Sequence, residues 1–240
     1  MDQFPYIFLW LTAAFLIADY PLQSNLVFEI RYKYKYGGLL HVALHALAGL
    51  FLLYPYLAHW QIWVAFGATI VLHYFIDTVS KKNILMWLAD QAAHIALIVG
   101  VAFVGRNLAP LELPETIARY YFNVPVALYV IGYVAATFAG TIFIFFVKIT
   151  FRKDYQARPI LLFEKTTGVI SRALVVTAVI LGFKLSPAFF FVAPVPDLLR
   201  LYQVVTARGT DEKHYKDVYP SDIIISFLYA GAIGVALAFV

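Results

Sequence analysis

No cysteine occurs among the 240 residues. That excludes disulfides, thiolate metal sites, thiol nucleophiles and haem attached through Cys. Charge is scarce as well. Only 13% of the residues are charged and 62% are hydrophobic, whereas a soluble globular domain carries about 25% charged residues. The solvent for most of this chain is therefore lipid, and the chain reads as a polytopic membrane protein. Low-complexity tracts, internal repeats and Ser- or Gly-rich linkers are also missing; the polar stretch 208–222 has a single glycine, Gly209. Met1-Asp2-Gln3 lacks the basic region that opens a cleavable signal. The net charge of +4 is modest and lies largely on one side of the predicted topology. It reflects orientation in a bilayer and gives no sign of a nucleic-acid partner.

What is present in quantity is long apolar runs. In lipid every backbone N–H and C=O must be paired within its own segment or within a closed barrel. Runs of this length, without ten-residue alternation, select helices. They fall at 4–20, 38–57, 60–79, 84–104, 124–147, 168–183, 187–205 and 223–240. The seventh is interrupted by Pro187, Pro194, Pro196, Asp197 and Arg200. Proline removes a backbone donor and kinks a helix, so this run is expected to be broken, re-entrant or interfacial. The predicted fold is an all-α polytopic membrane protein of seven to eight helices. A four-helix unit, 1–106, carries the polar residues; 107–123 is an external loop with a short surface helix near Glu115–Arg119; a second helical unit spans 124–240.

Lys and Arg placement sets the orientation. Arg31, Lys33 and Lys35 follow the first run, and Lys81 and Lys82 the third. Lys148, Arg152, Lys153, Arg158 and Lys165 follow the fifth, and Arg200, Arg208, Lys213 and Lys216 lie in and after the seventh. The alternate loops hold only Arg106, Arg119 and Lys184. The basic loops mark the cytoplasm and place the N-terminus outside. Arg172, near the inner start of the sixth run, reads as a snorkelling side chain, with Glu164 as the alternative partner.

Four polar pairs stand inside the first unit at i,i+4 spacing: Asp19/Gln23, His41/His45, His73/Asp77 and Asp90/His94. That spacing puts both members on one helix face, one turn apart. Pro21 threatens the first pair. Asp19/Gln23 ends its run, His41/His45 begins the next, His73/Asp77 ends the third, and Asp90/His94 lies one to two turns into the fourth. Because consecutive helices alternate in direction, all four pairs fall at one level, the cytoplasmic half of the membrane.

An ionisable side chain in a bilayer is costly and marks function by default. Imidazole and carboxylate together are the ligand set of Zn, Fe and Mn sites. His41, His45, His73, Asp77, Asp90 and His94 are the candidate ligands. Asp19 is a ligand or general base and the candidate catalytic residue, and Gln23 and Gln91 are the groups that would orient them by hydrogen bonds. A divalent transition metal there lowers the pKa of bound water to about 7. Two other readings of the same residues stand beside this one: a proton relay in a transporter, and interhelical hydrogen bonds in a subunit of a larger membrane complex. The nearly apolar outer halves of the first four runs count against ion conduction. Lys81 and Lys82 are candidates for contact with an anionic headgroup, and the alternation of Arg31, Lys33 and Lys35 with Tyr32, Tyr34 and Tyr36 suits an interfacial anchor for anionic lipid.

The stretches ADYPLQ (18–23), GGLLHVALH (37–45), HYFIDTVSK (73–81) and DQAAH (90–94) resemble, in order and spacing, the bacterial membrane-protein family known as domain of unknown function 3307. That family shows D-F-x-L-Q, H-x-x-x-H, H-x-x-x-D followed by Lys, and D-Q-x-x-H. In the second half, 168–172 (GVISR) looks like its G-x-x-E-R element with Ser171 in place of the acid. Members often carry a His one turn before the first Asp, where this chain has Phe15. The resemblance implies a bacterial inner-membrane protein and transfers no settled activity. Together with the residue types, the expectation is a metal-binding protein and a metal-dependent hydrolase acting on a lipid-linked or amphipathic substrate at the cytoplasmic leaflet.

Overall fold

The computed structural model describes residues 2–23, 25–34, 36–79, 82–152, 162–207 and 219–240. Lys35, Lys81 and the basic stretches 153–161 and 208–218, all used above for orientation or headgroup contact, lie outside the described residues. Among the described residues the chain is all helical. The elements are α1 (Phe4–Asp19), α2 (Asn25–Lys33), α3 (Gly37–Leu52), a 3-10 turn (Tyr54–Tyr56), α4 (Trp60–Asp77), α5 (Ile84–Gly105), α6 (Glu115–Tyr121) and α7 (Val124–Val134). A π-helical turn (Ala135–Ala139), α8 (Gly140–Phe151), α9 (Leu162–Lys184), α10 (Ala188–Val192), α11 (Val195–Ala207) and α12 (Pro220–Ala238) follow.

Among the described residues, five helical stretches are long and apolar enough to cross a bilayer: Ile84–Gly105, Val124–Phe151, Thr166–Lys184, Ala188–Thr206 and Pro220–Ala238. The apolar helices α1 and α3 have 16 residues each. At 1.5 Å per residue such a helix reaches about 24 Å, short of the ~30 Å hydrocarbon core. Large apolar side chains face outward, Phe51 and Phe191 at 79% and 84% exposure, which is the surface expected against lipid tails.

The first compact unit comprises 1–81 and 85–134. Its core joins Ile7, Leu11 and Phe15 of α1 to Tyr56, to Ile62 and Phe66 of α4, and to Ile98 and Val101 of α5. Where lipid competes equally for apolar groups, such packing depends on close fit. A Cβ on Gly49 of α3 would stand 2.6 Å from a Phe66 ring carbon, so glycine lets α3 and α4 close one turn past His45. The end opposite the His/Asp pairs is tied by hydrogen bonds: Gln3 N–H to Arg106 O at 2.7 Å, Tyr56 Oη–H to Gln3 Oε1 at 2.9 Å, Trp10 Nε1–H to Tyr121 O at 2.7 Å and Tyr121 Oη–H to Leu52 O at 2.6 Å. Tyr121 belongs to α6, the short helix expected near Glu115–Arg119.

The second unit comprises 82–84 and 135–240. Here Arg172 departs from the sequence reading. It does not snorkel; it is 2% exposed. Its Nε and Nη2 donate to the Thr137 carbonyl at 3.0 and 2.6 Å, Nη1 donates to Ser226 Oγ at 3.1 Å, and Nη2 also meets Thr141 Oγ1. The π turn explains the acceptor. An i→i+5 pattern disturbs the regular ladder and opens carbonyls, and Arg172 and the Tyr229 hydroxyl (to Ala135 O, 3.1 Å) take them up. Gly140 and Gly168 leave room for the guanidinium; a Cβ on either would stand 3.0 or 3.1 Å from it. Glu164, the alternative partner, has a side chain outside the described set.

Two smaller features have plain causes, the first of them expected from the sequence. The seventh run is divided at Ala193 and Pro194 into α10 and α11, because Pro194 cannot donate. The α2 segment forms a helix the sequence does not announce, since its residues NLVFEIRYK mix polar and apolar types without a long hydrophobic run.

Candidate metal centre

Each polar pair arrives on a different helix end. Asp19 is the last residue of α1, His41 and His45 stand in the first turns of α3, His73 and Asp77 close α4, and Asp90 and His94 lie in the first half of α5. The helix ends at Asp19, before Pro21, so Asp19 and Gln23 do not share one helical face. The other three pairs are helical throughout.

The four imidazoles form a contiguous row. Ring centroids are 4.7 Å apart for His41–His45, 4.1 Å for His45–His73 and 4.5 Å for His73–His94. His41, His45 and His73 are fully buried and His94 nearly so. Two carboxylates thread the row. Asp19 Oδ1 lies 3.0 Å from His45 Nε2 and 3.3 Å from His41 Nε2. Asp77 Oδ2 lies 3.0 Å from His41 Nε2 and 3.4 Å from His73 Nε2. Single donor atoms from Asp19, His41, His45 and His73 fall within 4.8 Å of one another, as do those from His73, Asp77 and His94.

These separations match a coordination sphere. A tetrahedral ion with bonds of about 2.0–2.1 Å holds its ligand atoms about 3.3–3.4 Å apart. Hydrogen bonding alone leaves much of the row unsatisfied: His45 Nδ1 and both ring nitrogens of His73 and of His94 are buried without a hydrogen bond. Each such polar atom costs ~1–3 kcal/mol, and a neutral imidazole offers a lone pair on one nitrogen and an N–H on the other. The His73 Nε2–Asp77 Oδ2 approach is close without being aligned as a hydrogen bond. Donor atoms this close without hydrogen bonds between them could hold an ion.

Asp90 belongs to neither ligand group. Its Oδ2 is 3.7 Å from His94 Nδ1 and accepts from Gln91 Nε2 at 3.1 Å. Gln91 Oε1 in turn accepts from the Tyr20 hydroxyl at 3.1 Å. Tyr20, which sequence reasoning passed over, thus ties the end of α1 to α5 beside the row; its place next to Asp19 was the available signal. Gln23 lies past the end of α1. Lys82 is exposed, and Lys81 is outside the described residues.

Phe15 stands one turn before Asp19 and is 4% exposed. Its ring lies 4.9 Å from His45, 5.3 Å from His73 and 6.1 Å from His94, centroid to centroid. It closes the apolar side of the row and holds three imidazoles in place by packing.

In the second unit Ser171 donates to Asp197 Oδ1 at 2.6 Å, and Arg200 Nη1 approaches the same oxygen at 3.3 Å. The carboxylate is thus supplied from α11 to a neighbour of Arg172. Sequence spacing gave no means of joining these residues. No curated protein and no solved structure matches the chain. Residues 7–116, the segment that holds the whole His/Asp row, match the model of the family described as protein of unknown function (DUF3307), so the resemblance read from the motifs holds over that segment.

Proposed function

We propose that this chain is a metal-binding protein of the bacterial inner membrane and works there as a metal-dependent hydrolase on a lipid-linked or amphipathic substrate. The observation that carries the reading is the buried row His41–His45–His73–His94, threaded by Asp19 and Asp77 at 3.0–3.4 Å, with ring nitrogens of His45, His73 and His94 that make no hydrogen bond. The absence of cysteine and the nitrogen–oxygen donor set suit Zn, Fe or Mn. The metal would supply Lewis acidity and a bound water with a pKa near 7. Asp19 would serve as ligand or general base, and Asp90, held by Gln91 and Tyr20, would fix the His94 ring.

The topology belongs to the same proposal: seven to eight spans, the N-terminus outside, and the row in the cytoplasmic half, on the strength of the Lys and Arg placement. A substrate would then be reached from the inner leaflet, where Lys81 and Lys82 would be candidates for contact with anionic headgroups. The alternation His45–Asp19–His41–Asp77–His73 is also the order of a proton relay, the non-enzymatic reading. Metal analysis separates the two. The full chain, purified in detergent, should hold stoichiometric transition metal, and chelation should lower its thermal stability. Metal-free protein whose stability ignores chelators would leave only the relay or a structural role.

A further inference from the structure

The six donors nearest one another divide evenly. Asp19, His41 and His45 come from α1 and α3; His73, Asp77 and His94 come from α4 and α5. Each set is two imidazoles and one carboxylate, and within each set single donor atoms lie within 4.8 Å of one another. His73 is the only residue common to both ligand groups, so the sets are adjacent without being one. One tetrahedral ion uses four protein ligands at most. An ion bound by Asp19, His41, His45 and His73 would leave His94 Nε2 buried without a hydrogen bond, and its Nδ1 with only the 3.7 Å approach of Asp90 Oδ2. Two imidazoles and one carboxylate are, by themselves, a sufficient triad for a zinc or a non-haem iron ion that keeps open positions.

We infer that the centre is dinuclear: one divalent ion on Asp19, His41 and His45, a second on His73, Asp77 and His94. This rests on the metal reading above and goes beyond it. Two divalent ions against the carboxylates of Asp19, Asp77 and Asp90 leave the site with net positive charge. An anionic substrate group neutralises it, which points to a phosphoester or pyrophosphate at the boundary of a lipid headgroup, the chemistry for which paired ions are used. Phe15 packs on His45 of one triad and on His73 and His94 of the other, and so holds the two in register.

The test uses the full chain in detergent, stripped of metal and titrated with Co2+. Visible absorption should rise to a break at two ions per chain, and Mn2+-loaded protein should give an exchange-coupled paramagnetic spectrum. His45→Asn and His94→Asn should each retain one ion. A break at one ion per chain with an isolated Mn2+ spectrum overturns the dinuclear assignment and leaves the metal reading intact. No binding at all overturns both. The wild-type titration decides the matter even if a variant fails to fold.

Discussion

Replacing Phe15 by histidine should cost less stability with metal than without it. Phe15 touches three imidazoles, two of them edge-on at 4.9 and 5.3 Å. Each edge-to-face contact contributes ~0.5–1.5 kcal/mol. A buried imidazole with an unpaired nitrogen costs a further ~1–3 kcal/mol. In metal-free protein Phe15→His should therefore lose about 2–6 kcal/mol of stability. With metal present the new ring adds a ligand at the centre of the row. Each tenfold gain in affinity returns about 1.4 kcal/mol, and bound ligand stabilises the folded state by mass action. The gap between wild type and variant should narrow as Zn2+ is added. Phe15→Leu, which removes the aromatic contacts and adds no ligand, is the control, and its deficit should not shrink. The assay is thermal unfolding in detergent with Zn2+ and with chelator. If Phe15→His and Phe15→Leu respond to Zn2+ alike, Phe15 does not face a metal centre.

Other consequences can be checked alongside. Arg172→Ala removes four donated hydrogen bonds in the second unit; at ~0.6 kcal/mol each for bonds within a membrane protein the loss is about 2 kcal/mol at least, visible as a lower melting temperature with unchanged metal content. Gly49→Leu drives a side chain into the Phe66 ring; overpacking costs ~1–3 kcal/mol, and spreading α3 from α4 should also weaken metal binding, whereas Gly67→Ala, with nothing near its Cβ, should do neither. Asp222→Asn breaks the 2.9 Å Lys148 pair and the acceptor for Tyr219 N–H at the start of α12; a lost cap costs ~0.5–2 kcal/mol, and the melting temperature should fall accordingly. His73→Ala should preserve assembly into any membrane complex while abolishing the proposed metal-dependent hydrolysis, and the reverse pattern would favour a structural subunit.

The part of the fold governed by composition and period was legible in advance. Long apolar runs can only be helices in lipid, and i,i+4 pairs at alternate helix ends must converge at one level. That logic located His41, His45, His73, Asp77 and His94 and ranked Asp19/Gln23 as the insecure pair, which α1 confirms by ending at Asp19. It placed Asp90 with the ligands, and the structure sets it beside His94 and Gln91, outside the two groups whose donor atoms converge. Arg172 could not be read correctly: its acceptors, Thr137 and Ser226, are distant in sequence, and the π turn that exposes the Thr137 carbonyl has no compositional mark. The α2 helix was illegible for the opposite reason, since a short polar segment carries no hydrophobic period strong enough to declare itself.

In the proposed reading, imidazole and carboxylate groups of this row bind a transition metal. X-ray absorption at the metal edge of the purified full chain tests it most directly. The expected spectrum shows a first coordination sphere of nitrogen and oxygen only, at about 2.0–2.2 Å, with the outer scattering of coordinated imidazole, lost in a His41→Ala/His73→Ala variant. Protein without a stoichiometric edge, or a metal surrounded by oxygen alone with no imidazole scattering, would contradict it.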